Sequence, residues 1–260
     1  MPPEAKPLFP VQLVGAGPGA ADLLTLRAAR AVEGAQALLY DALVGEEILA
    51  MAPQACLKIQ TGKRAGRPSM RQETINRLMI RLAQRGLRVV RLKGGDPSIF
   101  GRVGEEAQAL RQQGLAVEIV PGVTAACAAA AQFALPLTHR GVARRVVMTT
   151  ATTQDGKLSL DWAAAADREA TLAIYMGGRA APEIARCLIA AGRLPDTPVA
   201  VVRNASGPGA QLQSMTLAAL AAAPSVDLKS GPALIMVGEA LAGSEVWSRL
   251  PEAAPLAGAA

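Results

Sequence analysis

The sequence predicts an α/β protein built as two α/β domains, residues 1–138 and 139–260. Three observations carry this. Short apolar segments alternate with amphipathic helical ones, glycine loops stand at two strand ends, and the alternation pauses once, around Leu135–Gly141, before a second series begins. Repeated strand–helix alternation implies a mostly parallel sheet with helices on its faces.

Val11–Val14 is a short apolar strand that runs into the loop Gly15-Ala16-Gly17-Pro18-Gly19-Ala20. A helix follows over Asp22–Val32, with Leu24, Ala28, Ala31 and Val32 on one side, and Ala37–Tyr40 is a second strand ending at Asp41. The clearest helix is Met70–Arg85. There Ile75, Leu78, Met79 and Leu82 recur at helical spacing while Arg71, Glu73, Arg77, Arg81 and Arg85 face outward. Leu87–Leu92 is the next strand, and Val89–Lys93 there is an apolar run that carries two cations, Arg91 and Lys93. It breaks at Gly94-Gly95, where backbone can approach a ligand that a Cβ would exclude. Asp96-Pro97 then turns the chain towards a helix over Glu105–Gln113, and a strand at Val117–Val120 leads through Pro121-Gly122 into a helix from Thr124 to about Phe133. Ligands in open α/β sheets bind at the carboxyl ends of strands, so both glycine loops are placed as binding loops. Beyond the pause, Arg145–Thr150, Thr171–Met176, Val199–Val202 and Ala233–Val237 read as strands. Helices lie between them, the clearest at Ala181–Ala191, and the Ala-rich residues after Leu241 read as a frayed tail.

Composition narrows the function. Aromatic residues are 3% of the 260, too few for the stacking platforms on which single-strand nucleic-acid binders rely. The net charge of +6 suits an anionic ligand, although so modest an excess also describes an ordinary solvated surface. Cys56, Cys127 and Cys187 are far apart, without CxxC spacing, and sit among apolar neighbours, which favours buried thiols. His139 is the only histidine, so a metal site lacks ligands. The N-terminal MPPEAKPLFP is proline-rich and carries an acid, unlike a signal peptide, and no run reaches membrane-spanning length. A cytoplasmic location follows as an expectation.

The first loop admits two readings. Gly15, Gly17 and Ala20 fit the dinucleotide pattern GxGxxA, and Asp41 follows at the end of the next strand, as an NAD-linked oxidoreductase would require. Against this, Pro18 removes one N–H donor from the loop. The reading also leaves Gly94-Gly95 and Pro121-Gly122-Val123-Thr124 without a role.

A second reading accounts for all of them. VGAGPG, LLYDALV, GKRAG with Gln72 and Ile75-Asn76, VVRLKGGDPSIFGR, VPGVTAA, LPLTHR and YMGG occur here in one order, from about Val11 to Ala240. Together they closely resemble the tetrapyrrole methyltransferases, and within them the uroporphyrinogen-III C-methyltransferases; LKGGDPSIFGR and LPLTHR are the specific pieces. The pattern departs in places. Pro68 stands where the family has a histidine, Arg102-Val103-Gly104 replaces Arg-Gly-Gly, Thr150-Ala151-Thr152 replaces a TGH, and Arg203-Asn204-Ala205 replaces Glu-Asn-Gly.

The resemblance implies the tetrapyrrole methylase fold, with the active site in the cleft between the domains. It implies transfer of the S-adenosyl-L-methionine methyl onto C2 and C7 of uroporphyrinogen III, leaving S-adenosyl-L-homocysteine and giving precorrin-2, which feeds sirohaem, cobalamin and haem d1 synthesis. A precorrin methyltransferase is a neighbouring alternative. A chain of this length is expected to lack the dehydrogenase and chelatase module of the fused sirohaem enzyme, and to work as a cytoplasmic homodimer. By resemblance the cofactor lies against backbone at Gly94, Gly95 and Asp96 with Ile99, against Thr124 and Ala125, and against Pro18, Met176 and Ala205. Asp41 is the candidate proton acceptor and Lys63 the donor, though both also fit salt-bridged loop positions. The substrate carries eight carboxylates, which arginine forks bind well. Arg102 and Arg140 fall inside the specific motifs, with Phe100 beside them and Glu105 one turn on, placed to orient Arg102. Arg64 and Arg67 are further cations that read equally well as surface charge.

Overall fold

The computed structural model describes residues 9–62, 70–151, 158–223 and 231–244. Lys63, Arg64, Arg67 and Pro68 lie outside the described residues, as do Thr152 and the tail after Ser244. Contacts divide the chain into two compact units, the first ending at Ala125 and the second beginning at Ala126.

The first unit comprises β1 (Val11–Gly15), α1 (Leu26–Glu33), β2 (Ala37–Tyr40), α2 (Glu46–Ala50), β3 (Leu57–Gln60), α3 (Gln72–Gln84), β4 (Val89–Lys93), α4 (Val103–Arg111) and β5 (Val117–Val120). Its five strands are all parallel, in the order β3-β2-β4-β1-β5. Neighbouring strand residues point to opposite faces. Val14, Leu38, Val90 and Leu92 therefore pack with Ala28, Val32 and Ile48 of α1 and α2. Leu13, Leu39 and Val89 pack instead with Ile75, Met79 and Leu82 of α3 and Ala107 and Leu110 of α4. Arg91 and Lys93 are in phase with Val89, so they face α3 and α4 from inside the sheet. Helix α1 begins later than its apolar spacing implies, because the Thr25 hydroxyl caps it by accepting from Ala28 N at 3.1 Å. Asp22 falls instead in a short 3-10 turn.

The second unit holds α5 (Ala125–Gln132, which starts on the boundary), β6 (Arg145–Thr150), α6 (Trp162–Ala165), β7 (Ala170–Tyr175), α7 (Ala181–Ala190), β8 (Pro198–Arg203), β9 (Gln211–Thr216), α8 (Leu217–Ala222) and β10 (Ala233–Val237). The order is β6-β7-β10-β8-β9. Only β6 and β7 pair in parallel, and β10 and β9 run antiparallel to their neighbours, so this sheet is mixed. One face is covered by α6, α7 and α8. On the other, Ala126 and Ala129 of α5 share a core with Ala173, Ala200, Val202 and Met236. That packing puts α5 with the second sheet, so the contact division falls ahead of the 138/139 boundary expected from the pause in alternation. Strands β3 and β9 and helix α2 were not expected. Gln211-Leu212-Gln213-Ser214 is too polar to read as a core strand, and α2 is a helix of five residues.

The thiols also differ from expectation. Cys56 is buried, but Cys127 is exposed and Cys187 half-buried. In a helix made almost wholly of alanine, apolar neighbours do not reveal which face turns inward. Among the described residues no helix is long and apolar enough to cross a membrane, and no group of three or more His, Cys, Asp or Glu is arranged to hold a metal.

Candidate active site

Three loops meet at the carboxyl ends of the adjacent strands β4, β1 and β5. Gly17 and Gly95, both with φ near +70° (69° and 68°), exchange backbone hydrogen bonds, Gly17 N to Gly95 O at 3.1 Å and Gly95 N to Gly17 O at 2.6 Å. The third loop closes on this pair so tightly that side chains are excluded. A Cβ on Gly15 would stand 2.6 Å from Gly122 N and 2.7 Å from Gly95 O. Asp96 fixes the arrangement, its Oδ2 accepting from Gly122 N at 2.9 Å and its Oδ1 from Ser98 N at 2.8 Å. Gly95, Asp96 and Thr124 are thus brought together, a Cβ on Gly95 facing only Thr124 Cα at 4.0 Å. Gly95 N–H is used by Gly17, so open space beside the Cα is what Gly95 contributes. Pro18 lies half-buried next to the junction.

Beside the junction is a cavity of about 310 Å³ whose lining includes Asp41, Gly94, Ile99, Phe100 and Arg102. Five of the residues expected at the site therefore line one cavity. Phe100 and Arg102 both hold left-handed backbone, φ 54° and 56°, on either side of Gly101. Such conformations cost non-glycine residues about 1–2 kcal/mol and gather where a loop must aim side chains. Arg102 closes its fork on Glu105, Nε to Oε1 at 2.8 Å and a terminal nitrogen to Oε2 at 2.6 Å. The hydrogen bond from Arg102 holds the Glu105 carboxyl below the usual range, and the same bond raises Arg102. Both side chains are about half exposed (52% and 55%), so the pair adds little stability.

Asp41 sits where β2 ends, its Oδ1 accepting from Arg91 at 2.5 Å and from the Thr61 hydroxyl at 3.3 Å. Its Oδ2 has no partner among the described residues and the side chain is 32% exposed. Arg91 reaches Glu106 Oε1 of α4 through Nε at 3.1 Å and Leu92 O through a terminal nitrogen at 3.2 Å. Glu106 Oε1 also accepts from Lys93 Nζ and from Gln72 of α3, each at 3.1 Å. Lys93 Nζ stands 3.0 Å from Oε2 as well, off the direction of a hydrogen bond. Arg91, Lys93 and Glu106 were not singled out from sequence. The signal was present: two cations two residues apart in an apolar strand share a face, and Glu106 is in helical phase with the buried Ala107 and Leu110. Leu43, 61% exposed, and Thr61 are among the other lining residues that sequence reasoning did not place there.

The remaining expected residues belong to the second unit. Met176 follows β7 with φ 57° and its side chain is 65% exposed. Ala205 follows β8 between Asn204 and Ser206, which also have positive φ (48° and 57°). With β10 antiparallel to both strands, Met176 and Ala205 lie at the same end of the second sheet, one strand apart. Arg140 is exposed on a tight turn closed by His139 N to Ala143 O at 2.9 Å, and His139 Nδ1 lies 3.0 Å from the Arg140 carbonyl.

Residues 10–221 match the family profile of the Tetrapyrrole (Corrin/Porphyrin) Methylases. The chain belongs to this family. Among its relatives, the chain is 46% identical over 236 residues to the uroporphyrinogen-III C-methyltransferase of Paracoccus denitrificans, covering 90% of this chain and 82% of that one. It is 47% identical over 227 residues to the siroheme synthase of Zymomonas mobilis, covering 87% of this chain and 48% of that protein. The chain spans about half the length of the siroheme synthases it matches. A crystal structure of uroporphyrin-III C-methyl transferase from Thermus thermophilus, complexed with S-adenosyl homocysteine, superposes with a TM-score of 0.76 at 39% identity, covering 89% of this chain and 93% of that one.

These methylase relatives give the dinucleotide reading no support, and the topology explains why. In the dinucleotide fold the acid-bearing second strand lies directly beside the first. Here β4 stands between β1 and β2, so Asp41 is carried away from the first glycine loop and set against Arg91 instead.

Proposed function

We propose that this methylase transfers the S-adenosyl-L-methionine methyl group to C2 and C7 of uroporphyrinogen III, giving precorrin-2. The observation that carries the reading is the glycine junction beside a cavity holding one carboxylate with a free oxygen, in a chain 46% identical to the Paracoccus denitrificans methyltransferase. The cofactor fits the junction: the space beside Gly95 is open, and loops held together by backbone keep bulky side chains away from it.

When bound, the cofactor supplies an electrophilic sulfonium methyl. The backbone at Gly94, Gly95 and Asp96, with Ile99, forms one wall for it, and Pro18, Thr124 and Ala125 the next. Within the second unit, Met176 and Ala205 are the cofactor candidates. Arg102, held by Glu105, and Arg140 receive substrate carboxylates, and Phe100 gives the macrocycle an apolar surface. Asp41 Oδ2 takes up the proton that the ring releases after alkylation, and Lys63 is the matching donor. Alignment and exclusion of water supply most of the acceleration, since the methyl donor is already activated. The working form is a cytoplasmic homodimer, for which gel filtration is the check.

Anaerobic turnover of uroporphyrinogen III, followed for precorrin-2, tests the activity. Calorimetry with S-adenosyl-L-homocysteine and with NAD tests the cofactor. Tight NAD binding with none of the homocysteine compound would overturn the proposal.

A further inference from the structure

Lys93 has no part in the roles given to Asp41, Arg102 and Lys63, yet with Arg91 it is one of two buried cations that line the cavity. The residue is 4% exposed, lines the cavity, and runs its stem beneath the loop after β4, where a Cβ on Gly101 would come within 3.1 Å of Lys93 Cε. An ammonium carries three donors. Its one hydrogen bond among the described residues goes to Glu106 Oε1, and even with Glu106 Oε2 counted at 3.0 Å a donor remains without an acceptor. The other cations of the cavity differ. Each nitrogen of Arg91 already has an acceptor, in Glu106, Leu92 O or Asp41. Arg102 is half exposed with its fork on Glu105. A buried ammonium short of acceptors at a cavity wall is a site for an anionic oxygen from the ligand.

We propose that Lys93 is a substrate-binding residue whose ammonium receives one carboxylate of the tetrapyrrole at the cavity floor, with Glu106 the positioning residue that keeps it charged and aimed. The inference rests on the tetrapyrrole reading for its substrate class. It also predicts a pH dependence. Burial, helped by Arg91, lowers the Lys93 pKa from its ordinary value, while Glu106 and Asp41 act the other way. The charged groups facing it are Arg91 on its own strand, Asp41 at the end of β2 and Glu106 on α4, with Glu105 and Arg102 at the start of α4. Helix α3 presents the uncharged Gln72 and Asn76. A lowered pKa means the ammonium is complete on the acid side and is lost as pH rises, sooner than for an ordinary lysine. KM for the tetrapyrrole therefore rises with pH.

The experiment measures kcat and KM for uroporphyrinogen III from about pH 6 to about pH 10, spanning the range below an ordinary lysine. It uses the full chain and Lys93→Met, Lys93→Arg and Glu106→Gln, with S-adenosyl-L-homocysteine titrated into each. Lys93→Met should raise KM roughly ten- to a hundred-fold, the usual loss for a charge-assisted hydrogen bond, and leave homocysteine affinity within about twofold. Lys93→Arg, which does not titrate in this range, should abolish the alkaline rise in KM. Glu106→Gln should move that rise to lower pH, because the carboxylate that supports the ammonium is gone. Unchanged KM in folded Lys93→Met overturns the proposal. So does a Lys93→Arg profile that tracks the wild type, which decides the matter should Lys93→Met not fold. A wild-type chain that methylates no uroporphyrinogen overturns the underlying function itself, and the wild-type control shows this before any variant is compared.

Discussion

Gly122→Ala tests whether the three-loop junction is what holds the cofactor site. The added Cβ would collide with the Gly95 carbonyl oxygen and stand 2.9 Å from Gly15 Cα and 3.0 Å from Gly15 C. All three neighbours are backbone, so no flexible side chain can swing aside. Relief requires the loop after β5 to withdraw, which lengthens the 2.9 Å bond from Gly122 N to Asp96. Overpacking of this kind costs about 1–3 kcal/mol, and loss of a hydrogen bond to a carboxylate adds about 1.5–3 kcal/mol. Allowing for partial relaxation, a total of about 2–5 kcal/mol lowers the melting temperature by roughly 5–15 °C. S-adenosyl-L-homocysteine should bind at least about tenfold more weakly, since each 1.4 kcal/mol of misplacement is one decade. Gly104→Ala is the control: a Cβ there meets nothing within 4 Å. It sits in the first turn of α4, where alanine gains up to about 1 kcal/mol over glycine. Scanning calorimetry and isothermal titration read both quantities. If Gly122→Ala melts with the wild type and binds the homocysteine compound normally, the loops are not the scaffold described.

Two further outcomes are expected. Arg102→Ala and Arg140→Ala should each raise KM for the tetrapyrrole roughly ten- to a hundred-fold, leave homocysteine affinity nearly intact, and reduce the sensitivity of KM to added salt. Loss of cofactor affinity in either would make that arginine a cofactor-site or structural residue. Arg193→Lys should destabilise the second unit by about 2–4 kcal/mol in a thermal melt, because a point charge cannot reproduce the fork. That fork, 1% exposed, ties the carbonyls of Asp167, Ala170 and Val237. A melt matching the wild type would show those carbonyls find other donors.

The central strands of the first unit were legible because the interior of a parallel sheet is buried on both faces, so these strands are apolar runs broken by glycine, whereas the partly exposed edge strand β3 was not. Val11–Gly15, Ala37–Tyr40 and Val89–Lys93 stand out for that reason. The second sheet, with an antiparallel edge in β9, was less so: Gln211 and Gln213 are exposed while Leu212 lies between them, an alternation carried by one apolar residue in a polar run. In the site, the glycines were visible from position, since only glycine fits where backbones touch. Arg102 was visible from the motif it falls in, and Glu105 from its spacing to Arg102. The Asp41–Arg91–Glu106–Lys93 chain was obscured because strand order decides it. With β2 adjacent to β4, Asp41 meets Arg91; nothing in the local sequence says which strand lies beside which.

If the substrate is the proposed octacarboxylate, that chain also changes how it would be recognised. A plain count of cations in the sequence implies a positive pocket. In the structure Arg91 and Lys93 are matched by Asp41 and Glu106, and Arg102 by Glu105, so these cations and their ion-pair partners together sum to no net charge. Two unpaired cations at this depth would be strongly disfavoured, and the buried carboxylate is what allows them to stay charged. Attraction at long range must then come from the wider +6 of the chain, while selection at the floor rests on donors left over after internal pairing and on the exchange of partners at the rim. Glu105 can leave the Arg102 fork for water at small cost because both side chains are half exposed. Glu106, with 0% exposure, cannot leave. On the proposed reading the rim would swap its carboxylate for the substrate's, and the floor would keep its own and accept one more.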